Sequence, residues 1–236
     1  MDKNKDIFGK AITAFYYDND ETDIIVHSPD FDDDVIPVKY LFREYDEMPV
    51  LEQEALDLCS GKVLDVGCGA GGHSLYLQKT RSIACHAIDT SPGAIEVARK
   101  RGVKNAECVD FFNLKDDAYD TILMLMNGSG IIGKLNNLDA FFKHARSILT
   151  ENGKIILDSS DLVFLFEGEE IDQEMYYGEL EYLVSYKNSK SDVFDWLYID
   201  EKTLEKFAKK NDFSFRLIRK GKHFDYLAVL EPLKSS

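Results

Sequence analysis

From residue 62 onward, short apolar runs alternate with stretches of helical period. Lys62–Val66, Ile83–Ile88, Val103–Val109, Tyr119–Met126 and Lys154–Leu157 read as strands. Gly71–Lys79 and a segment opened by Ser91 and Pro92 read as helices between them. The clearest helix carries Leu138, Phe141, Phe142, Ala145, Ile148 and Leu149 at i, i+3, i+4, i+7, i+10 and i+11, an apolar stripe meant for a sheet, with Asn152-Gly153 as its stop. Strands separated by helices of this length imply parallel pairing. After residue 161 the pattern changes. Gly178–Tyr186 and Val193–Ile199 alternate like two strands joined by the polar turn Lys187–Asp192, and a helix follows over Thr203–Lys210. Phe213–Arg219 and Phe224–Leu230 then make a hairpin about Lys220-Gly221-Lys222. Upstream, residues 1–60 read as an irregular extension with a solvated acidic turn at Asp30–Asp34 and one helix from Pro49 to a stop at Gly61. The pattern predicts an α/β fold: a doubly wound, mostly parallel seven-stranded sheet with an antiparallel last strand, plus an N-terminal extension and an inserted β-hairpin. The expected division is 1–60 as extension or cap and 61–236 as the main domain, with the hairpin at about 175–200.

Composition narrows the partners. Hydrophobic residues make up 44% of the 236, enough for a sizeable core, and no run approaches the roughly 18 apolar residues of a membrane span. Met1–Lys10 lacks the apolar run of a secretion signal, so a cytoplasmic location is expected, with no membrane partner. The net charge is −15, with 13 acids against 5 bases in residues 1–50. Such a surface repels phosphate backbones, so no nucleic-acid partner is expected. Cys59, Cys68, Cys85 and Cys108 form no Cys-x-x-Cys pair and have no histidine cluster beside them, which argues against a zinc site. Three of them fall in predicted strands or tight turns, where a small buried thiol is expected.

The stretch Val63-Leu-Asp65-Val-Gly67-Cys-Gly69-Ala-Gly71-Gly72 lies between a strand and a helix. Glycines there let the backbone turn tightly and approach a ligand. Asp89 ends the next strand, 20 residues after Gly69, where a carboxylate can accept both ribose hydroxyls of an adenosine. Gly67, Gly69 and Gly72 also match the dinucleotide pattern, so NAD(P) competes with S-adenosylmethionine (SAM). Asp65 discriminates. A pyrophosphate would face its negative charge, whereas the ammonium of SAM would be attracted to it.

Residues 50–231 resemble the class I (Rossmann-like) SAM-dependent methyltransferases. The matching segments are Val63–Gly71, Ala87–Arg99, Val109-Asp110-Phe111 and Tyr119–Asn127. The C-terminal hairpin fits the antiparallel last strand that separates this fold from dinucleotide-binding domains. The resemblance implies S-adenosyl-L-methionine as cofactor, with Asp65 near its ammonium, Gly67 and Gly69 along methionine and ribose, and Asp89 on the ribose hydroxyls. It places Thr90 against adenine, Asp110 and the Phe111 N–H on the adenine edge, and Met126 and Asn127 at the methionine and substrate border. Each has a plain structural alternative: tight turns for the glycines, an N-cap for Asp89, a turn cap for Asp110. Asn127-Gly128-Ser129-Gly130 departs from the Asn/Asp-Pro-Pro-aromatic motif of base and glutamine methylation.

No residue is assigned as catalytic. The five histidines are scattered and no His/Asp pair is evident in the sequence. Asn127 and Asp158 at neighbouring strand ends are weak evidence for a metal, and none is assigned. For the acceptor, two regions stand out: Tyr40 with Arg43, and the inserted hairpin with Trp196 and Tyr198, whose rings could enclose a flat or cationic molecule or could simply pack. The acidic run Glu167–Glu174 reads as a solvated loop. The expected function is methyl transfer to a small molecule. Protein methylation, a SAM-binding regulator without turnover and an NAD(P) oxidoreductase are the alternatives.

Overall fold

All of Val63–Val66 and all but one residue of Tyr119–Met124 are buried. Strands apolar on both faces are what a parallel sheet covered by helices requires. The computed structural model of the chain describes residues 5–29, 31–115, 118–166 and 176–234. In chain order the elements are α1 (Ile7–Asp18), β1 (Ile24–His27), β2 (Asp34–Ile36), α2 (Val50–Leu58), β3 (Val63–Val66), α3 (Gly72–Lys79), β4 (Cys85–Asp89), α4 (Pro92–Arg101), β5 (Ala106–Cys108) and β6 (Tyr119–Met124). They continue with α5 (Leu138–Ile148), β7 (Leu149–Ser160), β8 (Glu179–Tyr186), β9 (Ser189–Lys190), β10 (Phe194–Leu197), α6 (Glu201–Lys210), β11 (Phe213–Lys220) and β12 (Asp225–Pro232).

The main sheet has seven strands in the order β11-β12-β7-β6-β3-β4-β5. β4 and β5 run parallel, as do β6 and β7, while β12 is antiparallel to both β7 and β11. The predicted α/β architecture with its antiparallel end is therefore present. A second sheet, β10-β8-β1-β2 with β9 on β8, joins the inserted hairpin to the N-terminal strands. The expected irregular extension is thus regular: Asp6 caps α1 through the Gly9 N–H at 2.9 Å, and β1 pairs antiparallel with β8, Ile25 opposite Ser185.

Two compact units emerge from the packing: Met1–Pro49 with Leu64–Leu114 and Glu181–Phe194, and Val50–Val63 with Lys115–Leu180 and Asp195–Ser236. In the first, Ile7 and Ala11 of α1 pack with Ile24, Val38, Val184 and Tyr186. Ile12 packs with Ala70, Ala94 and Val97. In the second, the stripe of α5 is buried as predicted except at Leu149, which caps the helix and starts β7. Asn152-Gly153 does not stop the helix but lies inside β7, where pairing with β6 jumps from Leu149 to Lys154. The Thr150 hydroxyl donates to Asp120 at 2.9 Å across that irregularity. Phe142 is fully buried, edge-on to Phe141 and 5.0 Å from Phe213. Phe142→Ala is expected to cost about 3–5 kcal/mol, read as a lower urea midpoint with circular dichroism of the folded state unchanged.

Candidate functional site

β3 delivers Asp65 and then the glycine loop. The Gly67 and Cys68 N–H groups donate to the Ile88 carbonyl at 2.9 and 3.0 Å, tying the loop to the end of β4. Gly67, Gly69 and Gly71 have φ of 74°, 52° and 83°, the left-handed region that L side chains resist. At Gly71 a Cβ would lie 2.7 Å from Val103, so this glycine serves packing. Around the Cβ position of Gly69 there is nothing within 4 Å, so the backbone there faces open space.

Two carboxylates flank the loop. Asp89 accepts from the Gly69 N–H at 2.9 Å and the Ser91 N–H at 2.8 Å. It does not cap α4; the Ser91 hydroxyl does, accepting from Ala94 at 3.0 Å. Asp65 is buried and accepts from the Ser74 hydroxyl at 2.5 Å. Burial pushes both carboxyls above the ordinary range, and for Asp89 the nearby Asp6 and Asp65 add to that. Two desolvated acids beside an open glycine backbone favour a cationic ligand group and oppose a pyrophosphate.

Further along, the Asp110 carboxylate accepts from the Phe112 N–H at 2.8 Å and so caps the short turn Phe111–Asn113. Phe111 is buried, while Phe112 is exposed and meets it edge-on at 5.3 Å. Thr90 is exposed, and its carbonyl accepts from the Cys108 thiol. Cys108 is itself exposed, against the expectation of a buried thiol, because β5 is the edge strand of the sheet.

In the second unit, Met126 and Asn127 both adopt left-handed backbone, φ 65° and 57°, one residue beyond the end of β6. Consecutive non-glycine residues in that region persist only when their surroundings hold them. Asp158 of β7 does so, accepting from the Met126 N–H at 3.1 Å and the Gly128 N–H at 3.0 Å. Burial pushes its carboxyl up to about 6, and Glu52 adds to that. The Asn127 side-chain oxygen accepts from the Ser160 hydroxyl at 2.8 Å. Asp158 and Asn127 are thus engaged in holding this turn, not arranged as metal ligands. Trp196 lies on the same region: a Cβ at Gly130 would fall 1.8 Å from its ring. Tyr198 donates its backbone N–H to Gly178 at 2.7 Å. Of the other hairpin aromatics, Tyr186 is core under α1, the packing alternative of the sequence reading. The acidic run 167–174 falls outside the described residues.

The structure does form a His/Asp pair that the sequence hides. His27 Nδ1 lies 2.8 Å from Asp33, and its Nε2 lies 2.8 Å from the Ser185 hydroxyl. Ser185 lies within β8 between β1 and β9, where its backbone belongs to the sheet ladder and offers no nest for an oxyanion. The relay pins two strands together.

A family model for the methyltransferase domain matches residues 60–213. The chain is 45% identical to a SAM-dependent methyltransferase from Bacteroides fragilis solved with S-adenosyl-L-homocysteine, over 99% of this chain and 98% of that one, with a TM-score of 0.92. The chain belongs to the class I SAM-dependent methyltransferases. Two curated relatives are more distant, each 29% identical. They are phosphoethanolamine N-methyltransferase 1 of Triticum aestivum, over 44% of this chain, and a probable (S)-tetrahydroprotoberberine N-methyltransferase 2 of Papaver bracteatum, over 49%. The match covers 22% and 34% of those proteins. The residues of this methyltransferase fit SAM as cofactor: the open backbone at Gly69 and the two acids, Asp65 buried and Asp89 half-buried, suit a cationic adenosyl amino acid. Among its described residues no helix is long and apolar enough to cross a membrane.

Sequence reasoning missed several supports of this methyltransferase's loop. Arg101 reads as a simple complement to the α4 C-terminus. Instead its guanidinium donates to the Ala70 carbonyl at 2.7 Å and the Phe42 carbonyl at 3.3 Å, hooking the N-terminal segment onto the glycine loop. Asp6 accepts from the Gly93 N–H at 3.0 Å as well as from Gly9, so one carboxylate serves the first turns of α1 and α4. Its position just before an apolar helix-period run was the available signal.

Proposed function

We propose that this methyltransferase moves the methyl group of SAM to the nitrogen of a small amine. The observation that carries the cofactor half is the pair of carboxylates, buried Asp65 and half-buried Asp89, beside the open backbone at Gly69. In this reading Asp65 faces the ammonium, Gly67 and Gly69 pass along methionine and ribose, and Asp89 takes the ribose hydroxyls. Thr90, Phe111 and Asp110 border the adenine, Asp110 with the oxygen that its turn cap leaves over. When bound, SAM supplies an electrophilic methyl on a positively charged sulfonium. The chain's part is to hold donor and acceptor aligned.

Support for an amine comes from two directions. Both curated relatives carry N-methyltransferase in their names. The net charge of −15 draws a cationic small molecule and repels anionic ones. In the second unit, the turn Met126–Gly130 with Trp196 over it is the candidate acceptor surface, and an aromatic face there suits a cation. The test is production of S-adenosylhomocysteine from SAM with a panel of small amines, phenols, thiols and carboxylic acids. Turnover is expected with amines. Turnover confined to phenols, thiols or acids would overturn the nitrogen assignment. Binding of NADPH, and not of S-adenosylhomocysteine, in calorimetry would overturn the cofactor.

A further inference from the structure

Just beyond β7 the second unit holds an apolar surface in solvent. Leu162–Phe166 is five apolar residues in succession, folded as a short helix. Leu162 is buried, but Val163, Phe164 and Leu165 are exposed, and Phe224, directly before β12, is 52% exposed. The Phe164 and Phe224 rings stack on each other at 4.8 Å and 16°. Asp161 holds both halves of the pair. Its carboxylate accepts from the Val163 N–H at 2.9 Å and from the Tyr177 hydroxyl at 2.7 Å, while its own N–H donates to the Phe224 carbonyl at 3.0 Å. Phe224 also adopts left-handed backbone, φ 61°, which a bulky residue resists unless its surroundings impose it. Stacked rings fixed in solvent by a carboxylate and by strained backbone, on a chain of net charge −15, mark a binding surface.

The place of the surface says what lies on it. β6 and β7 run parallel, so their C-terminal ends, where a sheet of this kind takes its ligands, lie side by side. The first end carries the turn Met126–Gly130. The second carries Asp158, which holds that turn, then Ser160, whose hydroxyl donates to Asn127, and then Asp161. Asp225, next to Phe224, pairs with Ser160. The apolar surface thus continues the acceptor turn along one edge of the sheet, within one unit. We infer that Phe164 and Phe224 bind the ring-bearing apolar body of the acceptor while its nitrogen lies at the turn, which makes the acceptor an arylalkyl amine and not a compact hydrophilic one; this rests on the amine reading of the turn. A flat ring stacks on such a pair, and Val163 and Leu165 widen its apolar rim. The other acceptor candidates of the sequence, Tyr40 and Arg43, lie in the first unit, with the Arg43 guanidinium over the Tyr40 ring at 3.2 Å.

The experiment is calorimetry on the protein saturated with S-adenosylhomocysteine, titrated with 2-phenylethylamine and with ethanolamine, which share an aminoethyl group and differ in the ring. The unaltered protein is expected to bind the phenyl amine about 10-fold or more tightly than ethanolamine, the size of one ring face removed from water. Phe224→Gly removes a ring and suits the left-handed backbone better than Phe, so the fold is kept and most of the preference is lost. Phe164→Ala should lose it too, and Phe164→Tyr should keep it. Affinity for ethanolamine and for S-adenosylhomocysteine should stay unchanged in all three. No preference in the unaltered protein, or a preference that survives both ring deletions, would overturn the inference and leave the amine reading standing. Binding of neither amine would sink the amine reading and the inference with it. A dimer that Phe224→Gly dissociates in sedimentation would assign the rings to a second copy of the chain, which also overturns the inference.

Discussion

Asp89→Ala is expected to weaken S-adenosylhomocysteine binding by about 100-fold or more, because the proposed ribose role would lose two charge-assisted hydrogen bonds at once. The variant also frees the Gly69 and Ser91 N–H groups, which Asp89 now holds at 2.9 and 2.8 Å, so the loop relaxes where the ligand approaches. Asp89→Asn keeps one acceptor oxygen and should lose less. The same group gives a pH dependence. Burial raises the Asp89 and Asp65 carboxyls above their usual 3.8, so the ligand-free fold holds these protons more tightly than the unfolded chain does. Ionising them therefore costs stability as pH rises from about that ordinary value through the raised one. A cationic ligand offsets that cost only once they are ionised. Affinity is thus greatest well above the raised values and falls on acidification, and the thermal shift on adding ligand should be larger at pH 8 than at pH 5. Calorimetry of the parent and both variants at those two pH values decides it. Parent-like affinity in Asp89→Ala would remove the ribose role.

The loop and its acid were legible because their information is local. Three glycines at alternate positions and an aspartate at the next strand end specify a tight left-handed turn tied to a carboxylate whatever the rest of the chain does. The seven strands were legible for the same reason, each being an apolar run with a turn signal. The second sheet was not. β1 is four residues long, and its partner β8 is more than 150 residues away in the sequence, so no window contains both. α1 was obscured differently. Ile7, Phe8, Ala11, Ile12 and Phe15 do repeat at helical spacing, but the acidic surroundings of residues 1–50 suggest a solvated extension. Around the site, Arg101 shows the limit most clearly. Its identity says "cation", and only the packing of Leu41 and Phe42 on the cluster that contains Ala70 says what the cation is near. Asp158 is the converse: its place at a strand end suggested a metal ligand, and its hydrogen bonds show a carboxylate that holds a left-handed turn.

Gly93→Ala is expected to cost more than Gly9→Ala, although both glycines sit at one helix crossing. A Cβ on Gly93 would lie 2.7 Å from the Gly9 Cα and 2.8 Å from its carbonyl carbon and oxygen. Those are backbone atoms, which cannot turn aside, so α1 must lift from α4. Lifting breaks the Gly93 N–H bond to Asp6 and draws Ile12 away from Ala70, Ala94 and Val97. Overpacking costs about 1–3 kcal/mol and a lost cap about 1 kcal/mol, so roughly 2–4 kcal/mol in all. The three atoms nearest a Cβ on Gly9 all belong to the Asp6 side chain, the closest at 2.1 Å, and that carboxylate can swing away for the cost of its bonds to the Gly9 and Gly93 N–H groups, with no backbone displaced. Urea denaturation should therefore rank Gly93→Ala below Gly9→Ala. Hydrogen exchange in Gly93→Ala should rise across Ile7–Asp18 and stay unchanged across Leu138–Ile148. Because Ile12 and Ala70 share one cluster, a loosened α1 also frees the glycine loop from one side. S-adenosylhomocysteine binding in this variant should weaken in step with α1 exchange. Exchange that rises with no change in binding would mean that α1 stabilises the first unit without helping to shape its loop.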